Sequence, residues 1–307
     1  MKQYGMDIVR VTEAAAIQAS AWVGSGNKEL ADQAATDAMR ERLNKLNFSA
    51  NIAIGEGKKD ESYGLFTDEN VGANKGGEIE CDIAVDPIEG TRPTVTSGPE
   101  AISVMAIAEY GAMYKSEEFY CNKLVYGPKI KEKIDLKVSS SIEHIALASA
   151  LSLNKDIKKL VVCILDRERH TPIIEKLREL GVRIKLIQDC DVSGAIATCL
   201  PESEVDLLYG IGGLPEAVIS ACAIKCFGGG MTVQIARKQT DNNFDIDDKI
   251  LETNDLVKGE CIFAATGITD GSILKGVRFT KKGPLTNSVY MRSESGTIRW
   301  MKTYHGN

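Results

Sequence analysis

A chain of 307 residues with a formal net charge of -6 and a pI near 5.4 is long enough for two domains or one large one. It has no long Lys/Arg run, which argues against a nucleic-acid surface, and no apolar run of membrane-span length or secretory-leader type. Cysteines 81, 121, 163, 190, 199, 222, 226 and 261 form no C-x-x-C pair and read as buried reduced thiols, which suits a reducing cytoplasm.

Apolar residues at helical spacing predict a first amphipathic helix over Asp7–Trp22 and a second over Lys28–Leu46. Asp32 stands beside the second helix's alanine stripe, either at its polar edge or as a functional carboxylate. Asn51–Ile54 reads as a short strand ending in Gly55-Glu56-Gly57, where Glu56 has room for a ligand or simply fills a turn. A mixed-charge loop, Lys58–Glu61, and a flexible Gly72–Gly77 segment follow.

The central stretch is Cys81–Arg92, CDIAVDPIEGTR. Ile79, Cys81, Ile83 and Val85 alternate with Glu80, Asp82 and Ala84, as in a strand with one buried face. Pro87 lacks an N–H and restricts Asp86 to extended geometry, so the strand is expected to stop there and present Asp86 and Glu89 at its carboxyl end. Neighbouring carboxylates repel unless a proton or cation intervenes, and hard oxygen ligands suit Mg²⁺ or Mn²⁺.

Further strands are expected at Ala101–Glu109 and Lys123–Tyr126, and a helix at Ser139–Leu151. From Leu160 strand and helix alternate: Leu160–Leu165, Thr171–Leu180, Val182–Ile187, Val192–Leu200 and Val205–Tyr209. This pattern predicts parallel βαβ units and a domain boundary near residue 155, giving an α+β part (1–155) and an α/β part (156–307). Gly210–Glu216 then leads into an apolar helix, Ala217–Phe227, whose glycine-rich start suits an anion. Glu216 either offsets the helix dipole or ligates a metal. Its glycine spacing is not G-x-G-x-x-G, and Arg237-Lys238 end the next strand, Thr232–Ala236, which disfavours a dinucleotide-binding oxidoreductase. Asp241–Asp255 reads as an acidic surface loop or helix. Cys261–Ala265 reads as a strand, and Ser288–Met291 with Thr297–Met301 as a final hairpin.

DPIEGT resembles the D-P-[IL]-[DE]-[GS]-[ST] signature of metal-dependent, lithium-sensitive sugar and inositol phosphatases. Gly55–Gly57, DPIEGTR at Asp86–Arg92, Arg169-His170, PESEVDLLYGIGGLPE at Pro201–Glu216 and ATGITDG at Ala265–Gly271 together resemble the class II (GlpX-like) fructose-1,6-bisphosphatase family across nearly the whole chain. The resemblance implies an α/β sugar-phosphatase fold, a layered α/β/α/β/α sandwich, and a place in gluconeogenesis and glycerol metabolism. The implied reaction is Mn²⁺- or Mg²⁺-dependent hydrolysis of the 1-phosphate of fructose 1,6-bisphosphate, with sedoheptulose 1,7-bisphosphate as a further substrate of some members.

By the same resemblance, metal ligands fall on Asp32, Glu56, Asp86, Glu89 and Glu216. Sugar-phosphate contacts fall on Glu89, Gly90, Thr91, Tyr120, Arg167, Glu168, Arg169, Asp189, Cys190, Asp191 and Gly213. Lys28, Asp60 and Thr91 match catalytic positions, with Thr91 and Asp60 expected to orient the attacking water. Arg169 is expected to hold the phosphate that is not cleaved, and His170 to cap or orient rather than to serve as the main base. A homo-oligomer, dimer or tetramer, is implied, with no nucleic-acid or membrane partner. Lys58-Lys59, Cys190 and a short segment around Asp241–Lys258 depart from the family pattern. An inositol monophosphatase-like enzyme and a sugar-phosphate-binding regulator without catalysis are the rival readings. The first needs no second phosphate site, and the second requires a damaged carboxylate set, whereas all five carboxylates are present.

Overall fold

The computed structural model describes residues 4–57 and 64–306. It is a mixed α/β protein that divides into two compact units, one made of residues 1–115 and 257–307, the other of residues 116–256. Helices α1 (Gly5–Ser20) and α2 (Lys28–Leu43) open the chain, followed by β1 (Ala50–Ile54), β2 (Asn70–Val71), β3 (Cys81–Glu89), α3 (Thr91–Thr96) and β4 (Ile102–Glu109). The chain continues with β5 (Tyr120–Tyr126), α4 (Pro128–Lys131), α5 (Ile142–Leu153), β6 (Val161–Leu165), α6 (Thr171–Glu179), β7 (Arg183–Ile187), α7 (Asp191–Ala197), β8 (Leu207–Gly213) and α8 (Leu214–Phe227). Last come β9 (Gly230–Lys238), β10 (Phe244–Glu252), α9 (Thr253–Leu256), β11 (Cys261–Gly267), β12 (Arg278–Thr280), β13 (Gly283–Arg292) and β14 (Thr297–Tyr304).

In the first unit the strands run β12-β13-β11-β4-β3-β1-β2, with β14 also on β13. The apolar stripe of α1 (Ile8, Val9, Ala15, Ala16, Ala19) is fully buried in the same core as Ile83, Met105, Ile107 and Ala264 of the sheet. Alanines on both α1 and α2 keep those helices slim where they pack on each other. The second unit has the order β10-β9-β5-β8-β6-β7. Within it β6 pairs in parallel with β7 and β8, as the βαβ pattern predicts, while β5, β9 and β10 are antiparallel.

Three expectations are corrected. The boundary does not fall near 155: β5 pairs with β8 and β9, and β11 returns to β4, so the chain leaves the first sheet after residue 115 and rejoins it at 257. Asp241–Asp255 is neither loop nor helix over most of its length, because the alternation Phe244-Asp245-Ile246-Asp247 supports the edge strand β10, whose exposed Asp245 and Asp248 blunt the edge. Nor does β3 stop at Pro87. It continues to Glu89 through a β-bulge, Asp86 lying opposite Val104 and Glu89 opposite Ile102. Three steps on one strand match two on the other, and proline is tolerated because the bulge has no ladder bond to lose.

The predicted one-sided burial of β3 also fails. Asp82 is completely buried, its Oδ1 accepting from Asn51 Nδ2 (3.2 Å) and its Oδ2 from the backbone N–H of Gly111 (2.9 Å) and Met113 (3.4 Å). The carboxylate thus ties β1, β3 and the turn after β4 together. Asp82→Ala strands these donors in the interior, so urea unfolding should show a loss of about 3 kcal/mol.

Candidate functional site

In the first unit, α2 is started by Asn27, whose side chain accepts from Leu30 N–H at 3.1 Å, and Asp32 follows within the next turn. The chain leaves β3 through Gly90, whose φ of +100° is a conformation that favours glycine, and enters α3 at Thr91. Thr91 Oγ1 consequently donates to Asp32 Oδ1 at 2.9 Å, joining two residues 59 positions apart. Burial raises the Asp32 pKa, and the Thr91 hydrogen bond and the Lys28 charge offset that only in part. Asp32 is thus a carboxylate short of positive charge.

The bulge in β3 matters here. Three residues apart on a regular strand, Asp86 and Glu89 would face opposite ways, but their partners Val104 and Ile102 are two apart and share a face. The extra residue therefore returns Glu89 to the face of Asp86. Asp86 Oδ1 accepts from Ile88 N–H at 2.9 Å, while Glu89 is buried. Glu56 follows β1 by two residues, and its N–H donates to Leu65 O at 2.9 Å; a Cβ on Gly55 would lie 1.9 Å from that oxygen, which excludes any larger residue. Lys28 is exposed at the first position of α2. Asp60 lies outside the described residues.

In the second unit, the residues expected to contact sugar phosphate gather at the carboxyl ends of β6, β7 and β8, where ligands of α/β sheets bind. Tyr120 begins the antiparallel β5 directly opposite Gly213. A 3₁₀ turn at Glu168–His170 follows β6. Arg167 pairs with Asp189 at 2.9 Å and donates to Gln188 O at 2.6 Å. Arg169 holds Ile211 O through Nε (3.2 Å) and Nη2 (2.8 Å), and its guanidinium lies 5.6 Å from the Phe244 ring centre. Phe244 in turn meets Tyr120 edge-on at 5.4 Å, and Lys238 lies 6.0 Å from the Tyr120 ring. Glu168 accepts from Asn242 Nδ2 at 2.8 Å. Cys190, with φ +68°, turns the chain between Asp189 and Asp191.

His170 is buried and held by contacts through both ring nitrogens. Leu165 O lies 2.7 Å from Nδ1 and must accept its proton, while Nε2 accepts from Ile211 N–H at 2.8 Å. These two contacts fix the neutral tautomer with the proton on Nδ1. Arg169 and His170 therefore clamp both polar groups of one residue, Ile211. Gly210 beside it has φ +132°, and a Cβ there would lie 2.8 Å from His170 Nε2.

Glu216 sits in the first turn of α8 with Oε2 buried and without a hydrogen-bond partner among the described residues. Burial raises its pKa, with the Asp191 charge adding to that and Lys123 opposing it. A Cβ on Gly213 would lie 1.7 Å from that same oxygen. An orphaned carboxylate oxygen, like the under-compensated Asp32, is chemistry that a hard divalent cation satisfies. The described residues nevertheless contain no group of three or more His, Cys, Asp or Glu already gathered as a metal centre. Sequence reasoning missed Lys123 and Phe244. A lysine inside the apolar YCNKLVY strand was the signal for the first, and the period-2 alternation of β10 for the second.

The motif at Ala265–Gly271 belongs to the scaffold. Thr266 joins Thr12 (2.8 Å) and Ser288 (2.9 Å) in a buried hydroxyl chain, Thr269 Oγ1 accepts from Ala101 N–H at 3.0 Å, and Asp270 accepts from Gly276 N–H at 3.0 Å. None of the eight cysteines is in a disulfide and all are buried; burial pushes Cys81, Cys121 and Cys199 up to about 12. Among the described residues no helix is long and apolar enough to cross a membrane.

Residues 2–305 match the family model described as bacterial fructose-1,6-bisphosphatase, glpX-encoded. A relative from Thermosynechococcus vestitus, named D-fructose 1,6-bisphosphatase class 2/sedoheptulose 1,7-bisphosphatase, is 38% identical over 332 aligned residues, covering 98% of this chain and 95% of the relative. The Escherichia coli K12 protein named fructose-1,6-bisphosphatase 1 class 2 is 37% identical, covering 99% of this chain and 95% of its own length.

Burial lowers the pKa of His170 from 6.5 to about 4, and the hydrogen bond to Leu165 counters this only partly. A depressed folded-state pKa means that the unfolded chain binds the extra proton first. The contribution of neutral His170 is therefore complete above pH 6.5 and is lost as pH falls towards 4. Urea unfolding of wild type and His170→Gln at pH 7 and pH 5 should show wild type losing about 2 kcal/mol more than the variant over that interval.

Proposed function

Because the chain belongs to the bacterial, glpX-type class II fructose-1,6-bisphosphatase family, we propose that it hydrolyses the 1-phosphate of D-fructose 1,6-bisphosphate to fructose 6-phosphate and phosphate. The observation that carries this beyond likeness is the Thr91–Asp32 hydrogen bond beside the bulged Asp86–Glu89 segment. It puts a hydroxyl in a fixed orientation within a group of elements that carry carboxylates. The second unit adds Arg169, an arginine held by a neutral carbonyl and suited to a second phosphate, which an inositol monophosphatase-like enzyme would not need.

In this reading Asp32, Glu56, Asp86 and Glu89 would be metal ligands, for Mn²⁺ or Mg²⁺, in the first unit, and Glu216 would be a metal ligand in the second. A divalent cation bound by such carboxylates neutralises phosphate charge and lowers the pKa of water. The protein's own part is positional. Thr91 commits its proton to Asp32 Oδ1, so its oxygen lone pairs remain to accept from a water and aim it in line with the phosphorus. Arg169, with the turn Asp189–Asp191 and Tyr120, would hold the sugar and the phosphate that stays. Sedoheptulose 1,7-bisphosphate is a second substrate in this proposal, which the name of the T. vestitus relative supports. A gluconeogenic role, a cytoplasmic setting and a homo-oligomeric state complete it; eight buried cysteines outside any disulfide favour the reducing compartment.

Phosphate release from both bisphosphates, an inositol monophosphate and fructose 6-phosphate, with Mn²⁺ or Mg²⁺ restored after exhaustive chelation, tests the assignment. Turnover of the bisphosphates should require the metal, and undiminished turnover after chelation would reject the metal-dependent mechanism. Thr91→Val should lower kcat by about a hundredfold with little change in KM, since an aimed water matters chiefly on the way to the transition state. A raised KM at unchanged kcat would make Thr91 a binding residue alone.

A further inference from the structure

The second unit contains a buried positive charge that the reaction as described does not use. Lys123 lies in β5, and its ammonium forms an ion pair with Asp191 in which the two side chains are only 3% and 7% exposed. Nζ also donates to Gly213 O at 3.2 Å, and Gly213 is the residue immediately before α8, which carries Glu216. A Cβ on Gly212 would lie 2.6 Å from Asp191 Oδ2 and 2.9 Å from Lys123 Nζ, so the pair fills the space that a larger residue would need. Burial by itself would lower the ammonium's pKa, but the Asp191 charge, with smaller contributions from Cys121 and Glu216, outweighs it and the net shift is upward. The ion pair with Asp191 therefore favours the charged ammonium.

Two buried carboxyl groups share one ammonium, and Glu216 Oε2 has no hydrogen-bond partner among the described residues. Without the ammonium the same pair would repel, and would offer a hard divalent cation two carboxylates within this unit. We propose that Lys123 is a positioning residue that serves as internal counter-ion to Asp191 and Glu216, standing where a divalent cation would otherwise compete and so reserving Asp191 for the hydroxyl groups of the sugar. This rests on the roles given above to Asp191 and Glu216. It also predicts opposite effects on metal and substrate when the lysine is neutralised.

The test uses the full chain, stripped of metal, as wild type, Lys123→Met and Lys123→Gln. Calorimetric titration with Mn²⁺ alone should show affinity raised by about tenfold or more in both variants, in the range by which partners of ligand residues shift metal binding. The rise in melting temperature on adding Mn²⁺ should be larger than in wild type, because a ligand that binds the folded state more tightly stabilises it more. At saturating Mn²⁺, KM for fructose 1,6-bisphosphate should rise about tenfold or more, with kcat changed less. A lysine that merely supports the fold would weaken both kinds of binding together, and reduced Mn²⁺ affinity or an unchanged KM would overturn the assignment. Should Lys123→Met fail to fold without metal, Mn²⁺ should restore its circular dichroism, and no recovery, with Lys123→Gln behaving as wild type, would likewise overturn it. Wild-type turnover in the same experiment separates the two levels: its absence removes the proposed function itself, whereas normal wild-type behaviour with unaltered variants removes only the role of Lys123.

Discussion

A carboxylate carried into a protein interior must find donors or a positive charge, since its burial otherwise costs several kcal/mol. The chain meets that constraint in three ways. Asp82 is surrounded by one amide side chain and two backbone N–H groups and becomes structural cement. Asp191 takes a lysine, and with it a fixed orientation. Asp32 and Glu216 receive less: one hydroxyl proton for the first, and for one oxygen of the second no partner among the described residues. The incomplete satisfaction of these last two carboxylates sets them apart from the scaffold, which is what the proposed metal-binding role asks of them.

Each unit then converts backbone irregularity into side-chain placement. In the first, one extra residue in β3 changes parity so that Asp86 and Glu89 share a face, and a left-handed glycine starts the short helix that brings Thr91 to Asp32. The second unit uses neighbouring residues of one turn to hold both ends of a strand residue, His170 accepting from Ile211 N–H while Arg169 donates to Ile211 O. Such clamps need a close approach, which is why Gly55, Gly210 and Gly213 stand where a methyl group would meet a backbone oxygen, an imidazole or a carboxylate.

The sequence made much of this legible and some of it not, for identifiable reasons. Elements such as β4, β6, α6 and α8 were readable because burial on all sides leaves a continuous apolar run, as in β4, β6 and α8, and burial on one side leaves a helical stripe, as in α6. The DPIEGT segment announced its carboxylates, yet not the bulge: proline reads as a stop locally, and only pairing with β4 shows that the strand continues. The parity of β3 suggested a solvated face for Asp82, whereas the backbone donors that bury it come from residues 111 and 113, beyond any local window. The boundary near 155 failed similarly, since antiparallel return of β11 to β4 is a long-range event. Lys123 and Glu216 are a charge pattern assembled from separate elements, invisible until β5, β8 and α8 are brought together.

The same separation between satisfied and receptive charges explains how a chain with a net charge of -6 can recognise an anion. Most arginines of the second unit are neutralised by acids: Arg167 by Asp189, Arg183 by Glu204, Arg237 by Asp247 and Glu118. Arg169 is treated differently. Its Nε and Nη2 are held by a neutral carbonyl, its plane lies near an aromatic ring, and burial followed by the neighbouring Arg167 lowers its pKa from the usual guanidinium value. Desolvation and a like-charged neighbour both favour the arrival of an anion, and the carbonyl fixes the guanidinium without cancelling its charge. Substituting an acid for Ile211 O as the anchor would hold Arg169 equally still and leave it far less receptive to phosphate. In the proposed reading the clamp on one strand residue is thus both the rigid support of the phosphate-binding arginine and the reason that its charge remains available.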